Sequence, residues 1–97
     1  AEKYYEKSVD INPDEYIALN ALGTIYGNSG DYDKSLKCLK KALKLKPDSA
    51  DIHFNIGYVY FLRYEYDTAL KELEKTLELD SNYKKAEFLI SQIKGKK

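Results

Sequence analysis

The feature that most constrains this chain is an internal repeat with a period of 34 residues. Gly23 and Gly57 are 34 positions apart, and Tyr26 and Tyr60 keep the same spacing. Other like pairs in this register are Tyr32 and Tyr66, Leu36 and Leu70, Leu39 and Leu73, Leu43 and Leu77, Leu45 and Leu79, Ile11 and Leu45, and Pro13 and Pro47. This period is typical of a two-helix unit that cannot bury its apolar face alone, so that neighbouring copies must stack.

Apolar residues recur at helical spacing inside each copy, which predicts two helices per copy. In the first copy Leu19 and Leu22 mark the first helix, and Leu36 and Leu39 mark the second. The register divides the chain into a partial repeat (1–15), two full repeats (16–49 and 50–83) and a terminal helix (84–97). The sequence therefore predicts one all-α domain of about six helices.

Glycine placement refines this prediction. Gly23 and Gly57 fall inside predicted helices, where glycine costs about 1 kcal/mol relative to alanine. We therefore expect a neighbouring helix to approach closely at both positions. Gly30 ends the first helix in the position that favours a left-handed backbone, and Tyr64 stands at the equivalent position one repeat later. The second turn must be built differently or hold Tyr64 at positive φ with some strain.

The register resembles the tetratricopeptide repeat, whose pattern has a large residue, Leu-Gly, Tyr, Ala, an aromatic residue, Ala and Pro. The first copy carries Leu19, Leu22-Gly23, Tyr26, Ser35, Leu39, Ala42 and Pro47 at these positions. The second carries His53, Ile56-Gly57, Tyr60, Ala69, Leu73, Thr76 and Ser81. The resemblance implies a right-handed helical-hairpin solenoid that serves as a protein–protein interaction scaffold. Because Ala1 falls in mid-repeat, we expect a fragment of a longer array.

Composition and motifs argue against several other classes of protein. Basic and acidic residues number 16 each, which disfavours a nucleic-acid or anionic-membrane binder. One cysteine and one histidine cannot supply the roughly four ligands of a structural zinc site. His53 occupies a core position of the repeat, and Gly27 to Gly30 lack the lysine of a phosphate loop. We expect no catalytic residue, no cofactor and no metal, and the lone Cys38 favours a reducing, cytoplasmic compartment.

By the resemblance, the first helix of each pair lines a concave groove that binds a peptide. The residues carried over to that groove are Asn20, Thr24, Asn28, Phe54, Asn55, Tyr58, Phe61, Lys85, Phe88 and Gln92. Phe54, Tyr58 and Phe61 form a second apolar stripe beside the packing stripe of the same helix. Either neighbouring helices cover these rings, or the rings form a surface for a partner.

Two known groove chemistries of the family fit poorly. The carboxylate clamp pattern is matched at Asn55 and Lys85 alone; the positions that differ are Asn20, Thr24 and Leu89. The asparagine ladder of some glycosyltransferase arrays also fails, because Ala21 and Leu89 flank Asn55 at one repeat's distance. A clamp that lacks these donors would leave a carboxylate without its positive cradle.

Two alternatives to a peptide-binding scaffold stay open: a self-assembling structural array and a regulatory module of a larger enzyme. The open ends favour a homo-oligomer, since no further helix is expected to cover Ile90 and Ile93, or Tyr4, Tyr5 and Val9. Charge offers a further pattern. Lysines crowd the second helix of the first copy, at positions 34, 37, 40, 41, 44 and 46, whereas its counterpart is richer in acid. This pattern indicates either charge matching between copies or a basic strip for an acidic partner.

Overall fold

The computed structural model describes residues 15–96, which form two compact units divided after Pro47. The N-terminal unit contains α1 (Glu15–Asn28) and α2 (Tyr32–Leu45). The C-terminal unit contains α3 (Ala50–Leu62), α4 (Tyr66–Leu79) and α5 (Lys84–Lys96). The predicted all-α class is confirmed, while the helix expected within residues 1–15 lies outside the described residues except for Glu15.

In the N-terminal unit, α1 and α2 form a hairpin around a close helix contact. A Cβ atom at Gly23 would lie 2.6 Å from Cγ of Leu39, a side chain that is completely buried. The Ser35 hydroxyl donates a 2.6 Å hydrogen bond to the Gly23 carbonyl across this contact. The close approach expected from the mid-helix glycine is therefore confirmed. The remaining buried side chains of this core are Leu19, Leu22, Tyr26, Leu36 and Ala42.

The C-terminal unit repeats this hairpin and adds α5 to it. A Cβ atom at Gly57 would lie 3.1 Å from Cγ of Leu73, which confirms the close approach here as well. The α5 residues Ala86, Leu89 and Ile93 join Ala69 and Leu73 in one buried cluster. The expectation that Ile93 lacks cover is wrong, because Ile93 is fully buried inside this unit and Ile90 packs against the same cluster.

The two hairpin turns share one backbone construction. The Asp31 N–H donates to the Tyr26 carbonyl over 2.9 Å, and the Glu65 N–H donates to the Tyr60 carbonyl over the same distance. The residue preceding each donor has a positive φ, 89° at Gly30 and 66° at Tyr64. The second turn therefore holds Tyr64 at positive φ, which confirms the strained alternative. The same backbone hydrogen bond closes both turns.

The helix starts are stabilised differently. Ser49 caps α3, since its hydroxyl oxygen accepts a hydrogen bond from the Ile52 N–H over 3.2 Å. Asp31 occupies the N-cap position of α2, but its side chain makes no capping hydrogen bond. Along residues 15–96, no helix has both the length and the hydrophobicity that crossing a bilayer demands.

Candidate functional site

An open pocket of about 400 Å³ lies between α3 and α5 in the C-terminal unit. Its lining surface is almost entirely apolar, and two lysine side chains contribute to it beside aromatic rings. The lining residues are Phe54, Tyr58, Lys84, Lys85, Phe88 and Leu89. All six belong to residues 48–97, so the pocket lies within one unit.

The floor of the pocket is built around Phe54. Its ring is stacked with that of Tyr58, with centroids 6.2 Å apart and planes 14° apart. The Tyr83 ring lies 5.1 Å from Phe54 at a tilt of 35°. These separations are those of favourable aromatic pairs. Phe54 is therefore half-buried and held between two other rings, which limits its motion.

Tyr83 is itself fixed by a carboxylate. Its hydroxyl donates a 2.6 Å hydrogen bond to Oδ1 of Asp51, in the first turn of α3. Burial raises the pKa of Tyr83 well above its usual range, and the hydrogen bond and negative charge of Asp51, with the charge of Asp80, raise it further. The phenol therefore stays protonated and keeps donating, which holds the ring against Phe54.

The rim of the pocket is both apolar and basic. Phe88 keeps 63% of its surface exposed, although it is a large aromatic side chain. Lys84 and Lys85, in the first turn of α5, are exposed beside it. Within residues 15–96 neither ammonium group forms an ion pair with a carboxylate. The pocket thus offers an apolar surface next to two positive charges.

The structure brings together four of the ten residues that the sequence predicted for the groove: Phe54, Tyr58, Lys85 and Phe88. Asn55 and Gln92 lie on the same two helices but do not line the pocket. Phe61 packs instead against Tyr66, with ring centroids 5.9 Å apart. This contact supports the alternative that a neighbouring helix covers the Phe61 ring.

Three predicted residues belong to the N-terminal unit and are not part of this pocket. The Thr24 hydroxyl donates a 3.0 Å hydrogen bond to the Asn20 carbonyl within α1. Asn28 is the exposed last residue of that helix. A role for these three residues in binding stays a prediction.

Sequence reasoning missed Tyr83 as a support of the pocket. The residue stands 34 positions after Ser49, a helix cap, so the register pointed to a cap and not to a ring contact. The usable signal was an aromatic residue at a helix start where the preceding repeat has the capping residue Ser49, because a tyrosine side chain is not a preferred cap.

Other chemistry is sparse in residues 15–96. No group of three or more His, Cys, Asp or Glu side chains within this range could hold a metal ion. His53 is 7% exposed, and its Nδ1 lies 2.9 Å from Oε1 of Glu72 on α4. The predicted core position of His53 is confirmed.

Helical hairpins of this construction define a helical-repeat protein, and comparisons of sequence assign it to a family. Profiles described as tetratricopeptide repeat match residues 4–37 and 50–83, and one described as TPR repeat matches residues 26–63. Together they span residues 4–83. The chain belongs to the tetratricopeptide repeat family. A search of curated protein sequences gave no significant match.

Solved structures share the fold. A crystal structure of MamA superposes with a TM-score of 0.88 at 24% identity, covering 98% of this chain and 56% of MamA. The MamA AMB-1 structure gives 0.79 at 22% identity, covering 98% and 52%. A mutant O-GlcNAc transferase of Thermobaculum terrenum gives 0.86 at 28% identity, covering 95% and 18%. The chain spans about half the length of MamA and less than a fifth of the transferase.

Proposed function

We propose that the C-terminal unit is a non-catalytic module that binds a short peptide segment of a partner protein in the pocket between α3 and α5. Tetratricopeptide repeats generally mediate protein–protein interactions. The observation that carries the proposal is the exposed Phe88 ring beside the supported Phe54 and Tyr58 rings. Single exposed apolar residues are ordinary, but a contiguous aromatic surface in a concave site is typical of binding.

The side chains around the pocket determine which peptide residues it can bind. A branched or aromatic side chain would bury against Phe54, Tyr58 and Phe88, and this anchor would dominate the binding energy. An Asp or Glu beside the anchor would lie near Lys84 and Lys85, where it contributes mainly to orientation and association rate. Because Tyr83 and Asp51 hold Phe54 in place before binding, little ordering of the floor is required.

A selection from random peptides tests this function and does not require the partner to be identified first. Phage-displayed seven-residue peptides are panned on the full chain, and enriched sequences are synthesised and titrated by calorimetry. We expect enriched peptides to combine an apolar anchor with Asp or Glu. The Phe88→Ala variant should bind them about thirtyfold more weakly, which corresponds to roughly 2 kcal/mol at a hot spot.

A matched control is available on α1. Ile17 is 60% exposed and does not line the pocket, so Ile17→Ala removes a similarly exposed apolar side chain that the proposed site does not use. We expect this variant to keep wild-type affinity. Enrichment of no peptide, or equal affinities of the Phe88→Ala variant and the wild type, would reject the proposed function.

A further inference from the structure

Helix α2 carries a strip of lysines that the pocket does not use. The strip consists of Lys37, Lys40, Lys41 and Lys44, and all four side chains are exposed. Their spacing of three and four residues places them on one face of the helix. The opposite face holds Leu36, Leu39 and Ala42, which are buried in the N-terminal unit. The lysine strip is therefore a continuous basic surface.

This charge arrangement opposes the stability of the helix. Like charges three or four residues apart destabilise a helix by about 0.2–0.5 kcal/mol per pair. In the part of the chain that the structure describes, no carboxylate pairs with a lysine of the strip. The strip is thus a set of mutually repelling charges for which residues 15–47, the described part of the N-terminal unit, supply no counterion.

The equivalent helix of the next repeat shows that the fold does not require these lysines. Moving the register by 34 residues places the strip positions at Lys71, Glu74, Lys75 and Glu78 of α4. Positive and negative side chains alternate at these four positions, and Nζ of Lys75 lies 3.7 Å from Oε1 of Glu78. Since the same hairpin forms with mixed charges, packing does not explain the all-lysine face of α2.

We propose that the lysine strip is a docking surface for an acidic segment of a partner protein. From Lys37 to Lys44 the helix rises about 10 Å, at about 1.5 Å per residue. This length matches about three residues of an extended chain or two turns of a helix. Several Asp or Glu side chains of such a segment would each meet a lysine ammonium group, which supplies up to three hydrogen-bond donors.

The surface fits a short acidic peptide better than a nucleic acid or an anionic membrane. The four strip residues include no arginine and no aromatic side chain that could contact a base. The whole chain carries 16 basic and 16 acidic residues, so a polyanion much longer than the strip would also meet negative surface. A segment of a few residues stays within about one Debye length, roughly 8 Å at physiological salt, of the lysines.

A labelled hexaglutamate peptide serves as the probe, with fluorescence anisotropy at low salt as the measurement. The test variant, Lys40→Glu with Lys44→Glu, gives α2 the residues that α4 carries at the same positions. The control variant, Lys71→Glu with Lys75→Glu, changes the net charge by the same amount on α4. Circular dichroism checks folding, and Lys40→Gln with Lys44→Gln replaces the test variant if that variant unfolds.

We expect wild-type binding that weakens as salt is added. The test variant should lose at least about tenfold in affinity, and the control variant less than about threefold. Equal losses in the two variants would show a response to net charge alone and overturn the proposal. The absence of wild-type binding up to millimolar peptide would overturn it too. So would tighter binding of a 20-nucleotide single-stranded DNA or of phosphatidylserine vesicles than of hexaglutamate.

Discussion

The hydroxyl of Tyr83 donates a 2.6 Å hydrogen bond to the carboxylate of Asp51 and thereby joins the turn before α5 to the first turn of α3. The two residues are 32 positions apart in the sequence. Because the Tyr83 ring also packs on Phe54, this single bond couples the placement of α5 to the floor of the pocket.

Replacing Tyr83 by Phe tests this link, because the ring stays and the hydroxyl goes. We expect the free energy of unfolding at pH 7 to fall by about 0.5–1.5 kcal/mol, the usual net contribution of one hydrogen bond. The folded state raises the pKa of Tyr83, whereas the unfolded chain has a tyrosine pKa near 10. The contribution is therefore present below about pH 10 and is lost as the pH rises towards the folded-state value.

Urea unfolding of both proteins at pH 7 and at several values above 10 measures this difference. The gap in stability between wild type and Tyr83→Phe should narrow at high pH. A gap that is constant, or that widens, would contradict a role for the phenol proton.

The two mid-helix glycines should respond differently to alanine. At Gly23 the new Cβ would lie 2.6 Å from Cγ of Leu39, so this fully buried side chain would have to shift, and we expect Gly23→Ala to cost about 1–3 kcal/mol. At Gly57 the closest atom, Cγ of Leu73, lies at 3.1 Å. There, the better helix propensity of alanine, up to about 1 kcal/mol, should offset most of the clash.

Thermal and urea unfolding of the two variants checks this order. Gly95→Ala is the control, since a Cβ at Gly95 would have no atom within 4 Å and should show the propensity gain alone. The packing argument fails if Gly23→Ala is as stable as Gly57→Ala.

Glu72 should contribute more to the free energy of unfolding than Glu78, which lies on the same helix. Glu72 contacts the buried His53 at 2.9 Å, whereas Glu78 faces the exposed Lys75 at 3.7 Å. We expect Glu72→Ala to cost about 1–3 kcal/mol, because a buried polar partner is lost. Glu78→Ala should cost less than about 0.5 kcal/mol. Chemical denaturation of both variants under one condition measures the contrast, and similar losses in the two would count against it.

The positive-φ residues of the two turns give a paired prediction. Gly30 has φ of 89° and no atom within 4 Å of a Cβ position, so Gly30→Ala should cost about 1–2 kcal/mol through backbone strain alone. Tyr64→Gly relieves such strain but loses the edge contact with Tyr66, at a centroid distance of 6.2 Å. We therefore expect a small gain, below about 1 kcal/mol, in the free energy of unfolding. Melting temperatures that move the same way in both variants would refute the shared turn geometry.

Local chemistry made much of the fold predictable. Helical spacing of Leu36 and Leu39 depends on residues a few positions apart. The register aligned Tyr64 with Gly30, but only the structure decided between a different turn and a positive φ at Tyr64. The same reasoning failed for Ile93, because its burial depends on how α5 packs on Ala69 and Leu73, which are far away in sequence.

The sequence by itself determined the 34-residue period, the helical hairpins and the close helix contacts at Gly23 and Gly57. Each follows from spacing, propensity or the absence of a side chain at one position. Only the tertiary structure decided that Tyr83 supports Phe54, that Phe61 packs against Tyr66 and that Phe88 stays exposed. Aromatic residues at the same helical spacing look alike in the sequence. Which of their rings is covered depends on how closely a neighbouring helix packs against them.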